Sequence, residues 1–511
     1  MLNHQLLNKN EILNYSHFEN NENRLLFLVN KSCQEKKFTE ALYYLTKLTT
    51  NFPRKPEYFS GMAIIQKKLG DYKEAEKNYK KAVEIDPKLS EGYYNLGILI
   101  YEQGNLDTAI KYFWKAIEVQ SDLYLAYYNL GNAYRKRNEL NLSLDCYKKA
   151  ISLKKDFDDA HYNLGVVFEK RRELAKAIEC YEKAIHCNSK NLNAHWNLAL
   201  LYLQIGDFSK GWVKFEVRKN RIKSLKRTFC KPELISESVN GKKILVYSEQ
   251  GLGDIIQFSR YLKMLKDCGA FVIFECKPQL SELFKDFDEI DLLILVNNYS
   301  ENSIVYDYHI SLLSLPLYFN TTLESIPLGI PYLRANPDKV KEWEAKIKNV
   351  KYINIGIVWS GAESNITGKD RSCALNDFIP LFAISGIKLF SIQKSGNKEE
   401  INYSDFPVIS FDSFDSVPFL DTAAIIENLD LVISIDTSIA HLAGALGKPV
   451  WTLLPYYSDW RWLLNSNDSP WYPTMKLFKQ SEPGEWGKVF SAVADEIRNI
   501  LILKNQDMGL I

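Results

Sequence analysis

The chain lacks most of the features that would announce a function directly. Its 511 residues hold eight cysteines, Cys33, Cys146, Cys180, Cys187, Cys230, Cys268, Cys276 and Cys373. No two are spaced C-x-x-C, which removes zinc-ribbon and thioredoxin-like chemistry. Scattered cysteines in a chain this long read as reduced and structural. There is no excess charge of either sign: 64 Lys+Arg against 63 Asp+Glu leaves +1. That balance gives no support to nucleic-acid or membrane binding by the whole protein. No segment reaches about 18 uninterrupted apolar residues, so no spanning helix is expected. Met1 to Tyr15 is Asn-rich and shows no cationic start followed by an apolar run. No signal peptide is therefore expected, and the cytoplasm is the expected location. The G-x-x-x-x-G-K-[ST] phosphate loop, H-E-x-x-H and G-x-S-x-G are all missing. The acidic pair Asp286 and Asp288 lies in a polar stretch and reads as solvated surface, so no metal site is expected.

What is present is the ordinary mix of a globular protein: 46% hydrophobic and 25% charged residues, in a length that suits roughly three domains. Aromatic residues make up 13%, and much of that comes from a repeat. At a period of 34 the chain reads Tyr93-Tyr94-Asn95-Leu96-Gly97, Tyr127-Tyr128-Asn129-Leu130-Gly131, His161-Tyr162-Asn163-Leu164-Gly165 and His195-Trp196-Asn197-Leu198-Ala199. A second column is Ala75, Ala109, Ser143, Ala177, Gly211, and a third is Tyr79, Phe113, Tyr147, Tyr181, Phe215. Such columns describe pairs of helices in which a small residue allows close approach and aromatic rings fill the space between units. One unit cannot cover its own apolar face, so the units stack. The pattern resembles the tetratricopeptide repeat, with six units over 22–225 after an N-terminal extension, 1–21. A concave face of this kind suits an extended peptide or another protein. Asn95, Asn129, Asn163 and Asn197 recur at one position, either lining that face or bridging helices inside the scaffold. The basic run Arg218, Lys219, Arg221, Lys223, Lys226 and Arg227 reads as a solvated helix end, and 226–241 as a linker.

The second half alternates apolar runs with helical stretches, the grammar of parallel sheets. Strands are expected at Ile244–Tyr247, Phe271–Phe274, Leu292–Val296, Ile353–Trp359, Lys388–Ile392, Leu431–Ile435 and Val450–Leu454. They divide into a first Rossmann-like domain, 242–335, and a second, 352–480, joined by 336–351 and followed by a C-terminal helical segment, 481–511. Ligands of open parallel sheets bind at the carboxyl ends of strands. That rule selects Gln250, Gly251, Gly253 and Asp254 after the first strand, and Ser360 and Gly361 with Arg371 and Ser372 in the second domain. It also selects Asp436, Thr437, Ser438 and His441, where a helix starts. The N–H groups and hydroxyls at that start suit a diphosphate, with Arg371 and Lys394 as neutralising cations. Asp254 is either the cap of its helix or a general base.

Two runs carry a family resemblance. Gln250-Gly251-Leu252-Gly253-Asp254-Ile255-Ile256-Gln257-Phe258 and Asp436-Thr437-Ser438-Ile439-Ala440-His441-Leu442-Ala443-Gly444 are similar to the bacterial tetratricopeptide-repeat glycosyltransferases, related to the ADP-heptose:lipopolysaccharide heptosyltransferase family (glycosyltransferase family 9). Asp459-Trp460-Arg461-Trp462 and Ser469-Pro470-Trp471-Tyr472-Pro473 match as well. The resemblance implies a GT-B-like pair of Rossmann-type domains behind a repeat superhelix. It implies inverting, metal-independent transfer of a sugar from a nucleoside diphosphate, with no cofactor, and with Asp254 as base. It places diphosphate contacts on Asp436, Thr437, Ser438 and His441. The stretch 362–370 departs from the family pattern. The expected partners are a nucleotide-sugar donor and a protein or peptide on the repeats. The alternative is a non-catalytic repeat adaptor with a nucleotide-sugar-binding or degenerate second half.

Overall fold

The computed structural model describes residues 21–221, 227–296, 304–348, 351–361, 371–393, 407–411 and 419–507. The chain divides into two compact units, Met1–Ala194 and His195–Ile511.

The first unit is built from helix pairs. They are Glu22–Gln34 with Phe38–Asn51, Pro56–Lys68 with Tyr72–Ile85, Ser90–Glu102 with Leu106–Val119, Tyr124–Lys136 with Leu140–Leu153, and Asp158–Lys170 with Leu174–Cys187. The 34-residue columns explain how each pair closes. A Cβ on Gly97, Gly131 or Gly165 would sit 2.7 Å from the ring of Phe113, Tyr147 or Tyr181 respectively. In these three pairs the ring of the second helix thus seats on the glycine of its own first helix, a contact the sequence reading had placed between neighbouring units. Ala75, Ala109 and Ala177, from the column of small residues, are fully buried. The turn inside each pair uses a left-handed residue at the same spacing: Lys36, Gly70, Gly104, Asn138 and Arg172 all have φ between 59° and 86°. Glycine reaches that conformation without cost, whereas Lys36 and Arg172 carry a Cβ into it.

The second unit begins inside the helix Leu192–Gln204. That helix and Phe208–Phe215 form the sixth pair, but their core residues Leu203, Phe208, Trp212 and Phe215 belong to the same cluster as the sheets. Trp212 packs edge-on against Phe258, Trp460 and Trp471, and its indole N–H donates to the Thr321 carbonyl at 3.1 Å. The sheet-bearing region therefore covers the apolar face that a further repeat would otherwise cover.

Two parallel sheets follow. The first holds β1 (Lys243–Tyr247), β2 (Phe271–Cys276), β3 (Leu292–Leu295) and β4 (Tyr308–Ser311) in the order β3-β2-β1-β4. The second holds β5 (Ile353–Val358), β6 (Ile387–Ser391), β7 (Val408–Ile409), β8 (Leu431–Ile435), β9 (Val450–Leu454) and β10 (Met475–Lys479) in the order β10-β9-β8-β5-β6-β7. Every pairing between these strands is parallel. β5 and β8 are buried throughout, as strands covered on both faces must be. Three strands, β4, β7 and β10, were not anticipated. They are short or broken by polar residues, and pairing with a central strand is what orders them. The C-terminal helix, Trp486–Asp507, lays Val489, Phe490, Val493 and Ile497 into the core of the second sheet.

Strand order fixes where a ligand can enter. In the second sheet the chain starts at β5, steps outward to β7, then returns to the other side through β8. The loops after β5 and β8 therefore part in opposite directions and leave a crevice at their carboxyl ends. The first sheet has the same reversal between β1 and β4.

Candidate functional site

A cleft of about 580 Å³ lies at these strand ends. Gln250, Gly251, Leu252, Gly253 and Asp254 line it from the β1 side. Val358, Ser360, Gly361, Arg371, Gln393, Asp436, Thr437, Ser438, His441, Asp459 and Arg461 line it from the second sheet. The structure thus gathers most of the sequence-selected residues around one space. Ser372 stands behind the lining, where its Oγ accepts from the Gly361 N–H at 3.1 Å. Lys394 and the stretch 362–370 lie outside the described residues.

The floor is a helix crossing. Leu252–Phe258 packs on Ser438–Ala445, and a Cβ on Gly253 would fall 2.8 Å from His441 Cδ2 and 3.5 Å from Ser438 Cα. Glycine at 253 is what lets a helix after β1 meet the helix after β8. The helical stretch after β1 is two helices, Leu252–Phe258 and Arg260–Asp267, breaking at Ser259. The break frees Arg260 to turn inward. Its guanidinium donates to the carbonyls of Gln257, Trp471 and Pro327 and to the Tyr332 hydroxyl.

Asp254 has two partners. Its Oδ2 accepts from the Gly251 N–H at 2.7 Å, so the helix cap is formed. Its Oδ1 accepts from the Arg461 guanidinium, which also donates to Asp459 Oδ1 at 2.8 Å and to Gln257 Oε1 at 2.7 Å. Burial opposes the charge on Arg461, but Asp459 and then Asp254 outweigh it and raise its pKa. A carboxylate offers about four lone-pair directions. Two are used here, which leaves Asp254 able to accept a further proton donor from the cleft.

Across the floor, Thr437 caps the helix Ser438–Ala445 by accepting from the Ile439 N–H at 3.3 Å, and its hydroxyl meets Ser434 Oγ at 3.1 Å. A helix start carries unsatisfied N–H groups and the positive end of the helix dipole, which together favour an anion. Arg371 adds a cation 3.6 Å from Asp436. Burial, then Asp459, pushes the Asp436 carboxyl above its usual pKa, with Arg371 opposing. His441 is buried, its Nδ1 3.0 Å from the Tyr472 hydroxyl, its ring stacked on Trp462 and its Nε2 3.9 Å from Asp436. Burial first, then Arg461, Arg260 and Arg371, hold its pKa well below 6.5 and keep it neutral. Gln393 accepts from the Trp359 and Ser360 N–H groups and donates to the Ser360 carbonyl at 2.7 Å, which fixes the turn after β5.

Several residues behave differently from the sequence reading. Arg218 is no solvated helix end: it is fully buried, donating to Glu249 Oε1 at 2.7 Å, Glu216 at 2.5 Å and Ser314 at 2.7 Å. Arg227 forms a two-pronged pair with Glu275 at 2.7 and 2.9 Å. Lys223 and Lys226 lie outside the described residues. Trp460, Trp462 and Trp471 are buried core. Of the asparagine column, Asn129 donates to the Tyr94 hydroxyl and Asn163 to the Tyr128 hydroxyl, both at 3.0 Å and each one repeat back. Asn163 is buried, so its amide is spent in the scaffold. Asn95 and Asn197 are half-buried on the helices Ser90–Glu102 and Leu192–Gln204. Arg461, Asp459, Gln257 and Gln393 were not selected as site residues. The charged pair of Asp459-Trp460-Arg461-Trp462, set between tryptophans, was the available signal.

Models of the tetratricopeptide repeat match residues 65–104 and 131–171, 90–123, and 158–191. The helical repeats are tetratricopeptide repeats. Protein FlbA of Caulobacter vibrioides is 23% identical over 322 residues, covering 58% of this chain and 54% of FlbA. The chain thus spans about half the length of the curated relative it matches. A crystal structure of MamA is 29% identical, covering 32% of this chain and 98% of MamA, with a TM-score of 0.30. YrrB, described as a TPR protein with an unusual peptide-binding site, is 20% identical, covering 34% of this chain and 90% of YrrB, with a TM-score of 0.30. The protein is therefore a tetratricopeptide-repeat array followed by an α/β region of parallel sheets. Among the described residues no helix is long and apolar enough to cross a membrane, and no three His, Cys, Asp or Glu side chains converge to hold a metal ion.

Proposed function

We propose that the sheet-bearing unit is a glycosyltransferase of GT-B type, related to the ADP-heptose:lipopolysaccharide heptosyltransferase family. It moves a sugar from a nucleoside diphosphate to a protein or glycan, and the tetratricopeptide repeats recruit the acceptor or a partner. The observation that carries this reading is a single cleft in which Asp254, from the first sheet, shares the lining with the helix start at Thr437 and Ser438, from the second. An acid–base group and an anion-favouring helix start belong to the two ends of one displacement.

In that reaction the acceptor hydroxyl gives its proton to Asp254. Its oxygen forms a bond to the anomeric carbon on the face opposite the leaving group. The bond from that carbon to the diphosphate oxygen breaks, and its electron pair leaves with the nucleoside diphosphate. Charge on the leaving group grows in the transition state, so fixed N–H dipoles at Ser438 and the Arg371 cation stabilise that state more than the ground state. The side chains needed for proton transfer and for the leaving group all come from the protein, and the reaction is metal-independent.

The test is nucleoside diphosphate release when the purified chain meets a panel of nucleotide sugars with and without EDTA, with products read by mass spectrometry. Release that survives EDTA is expected. Binding of a nucleotide sugar without release would favour a repeat adaptor with a sensing second half, and loss that magnesium restores would overturn the metal-free mechanism.

A further inference from the structure

Arg461 comes from the turn after β9, yet one of its partners, Asp254, is 207 residues away after β1. Its three side-chain nitrogens reach three different oxygens: Asp254 Oδ1, Asp459 Oδ1 and Gln257 Oε1. Asp459 in turn accepts from the Arg461 backbone N–H at 3.0 Å, which anchors the guanidinium to its own turn. Gln257 lies one helical turn after Asp254, so two of the three bonds clamp the same helix. Only a planar fork satisfies three acceptors in these directions, and an ammonium does not. With the Gly251 N–H on the other oxygen, the Asp254 carboxylate is held at both ends.

We propose that Arg461 is the positioning residue for Asp254: it carries no proton itself, but it fixes the carboxylate across the cleft and ties proton transfer to the seating of the second sheet. This rests on the transferase reading above and adds a part to it that the sequence did not supply. A carboxylate from one sheet, locked by a guanidinium from the other, is correctly placed only while the cleft is assembled. Free rotation of Asp254 would remove it from line with an acceptor hydroxyl, and a misplacement of about 1 Å costs about 100-fold in rate.

The test is a double-mutant cycle of Arg461→Met and Asp254→Asn in the full chain, with sugar transfer measured as kcat and KM. Arg461→Met is expected to lower kcat about 100-fold while KM for the sugar donor moves by less than about threefold. In the Asp254→Asn background it should cost no more than about threefold further, because coupled groups are not additive. Arg461→Lys, which keeps the charge and loses the fork, should recover little. Millimolar guanidinium should restore part of the turnover of Arg461→Ala, an effect that a merely structural side chain would not show. Circular dichroism confirms that each variant is folded, and the lysine variant with guanidinium rescue carries the test if Arg461→Met does not fold. Additive losses, or a loss confined to nucleotide affinity with kcat intact, would overturn the positioning role in an active parent. A parent inert towards every sugar donor would instead overturn the transferase reading itself.

Discussion

The repeats and the sheet-bearing unit spend their polar side chains in opposite ways. In the repeats two amides of the asparagine column reach one unit back: Asn129 to Tyr94 and Asn163 to Tyr128 are both 35 residues apart. In the second unit the bonds that shape the cleft span the chain. Arg461 to Gln257 is 204 residues, Arg461 to Asp254 is 207, and Arg260 to the Trp471 carbonyl is 211. A structure made of neighbouring contacts is stable in pieces and presents the same surface chemistry again and again. A structure made of distant contacts brings unlike groups together once, and a reaction requires that.

The contrast can be broken at several points. The largest effect should come from Asp254→Asn. Asparagine keeps an oxygen for the Gly251 cap but takes no proton, so transfer should fall about 100-fold or more with the fold intact. Turnover within a few-fold of the parent, measured as nucleoside diphosphate release, would remove Asp254 from the mechanism.

A paired glycine test compares the two regions directly. Gly131→Ala and Gly253→Ala each force a methyl group into a neighbour at under 3 Å, Tyr147 in one case and His441 in the other. Overpacking should cost about 1–3 kcal/mol in each by chemical denaturation. Only Gly253→Ala should also depress transfer, because only there does the displaced contact form the floor of the cleft. Equal effects on transfer would refute the division of labour.

Arg371→Ala should weaken nucleoside diphosphate binding by about 1–3 kcal/mol, the scale of a charge-assisted hydrogen bond. Calorimetry with unchanged affinity would place the anion elsewhere.

The pH dependence is a smaller effect, read here at the cleft. His441 has its pKa depressed in the folded protein, so the unfolded chain binds a proton that the folded one refuses. Stability from this group is present above the unfolded value near 6.5 and is lost as pH falls below it, by about 1.4 kcal/mol per pH unit. Thermal melts between pH 7.5 and 5.5 should show a slope that His441→Gln reduces by one proton. An identical slope in the variant would show that the ring titrates freely.

The smallest change tests the repeats. Arg172 occupies the left-handed position where two other repeats place Gly70 and Gly104. Arg172→Gly should stabilise the array by about 1 kcal/mol, read as a higher thermal midpoint, and should leave transfer untouched.

Much of this architecture was legible in the sequence. The repeat was visible because the helix pair closes through residues 16 positions apart, such as Gly131 and Tyr147, and the same need returns every 34. Seven strands were visible because each reads as a short apolar run, and most of them are central strands covered on both faces. The cleft loops followed from the strand-end rule. The rest depended on position in space. Arg218 and Asn163 are polar by composition, and only their burial beside Glu249 and Tyr128 shows what they bind.

The local chain, then, determined the repeat helices, seven of the strands, the turns after them and the candidate carboxylate, because each is written in spacings of a few residues to one repeat. The tertiary structure alone decided the strand order, the seating of the sixth helix pair on tryptophans rather than on another repeat, and the choice of Arg461 as the partner of Asp254. Those outcomes depend on which distant surfaces exclude water together, and no local pattern encodes the partner of a charge that the fold has buried.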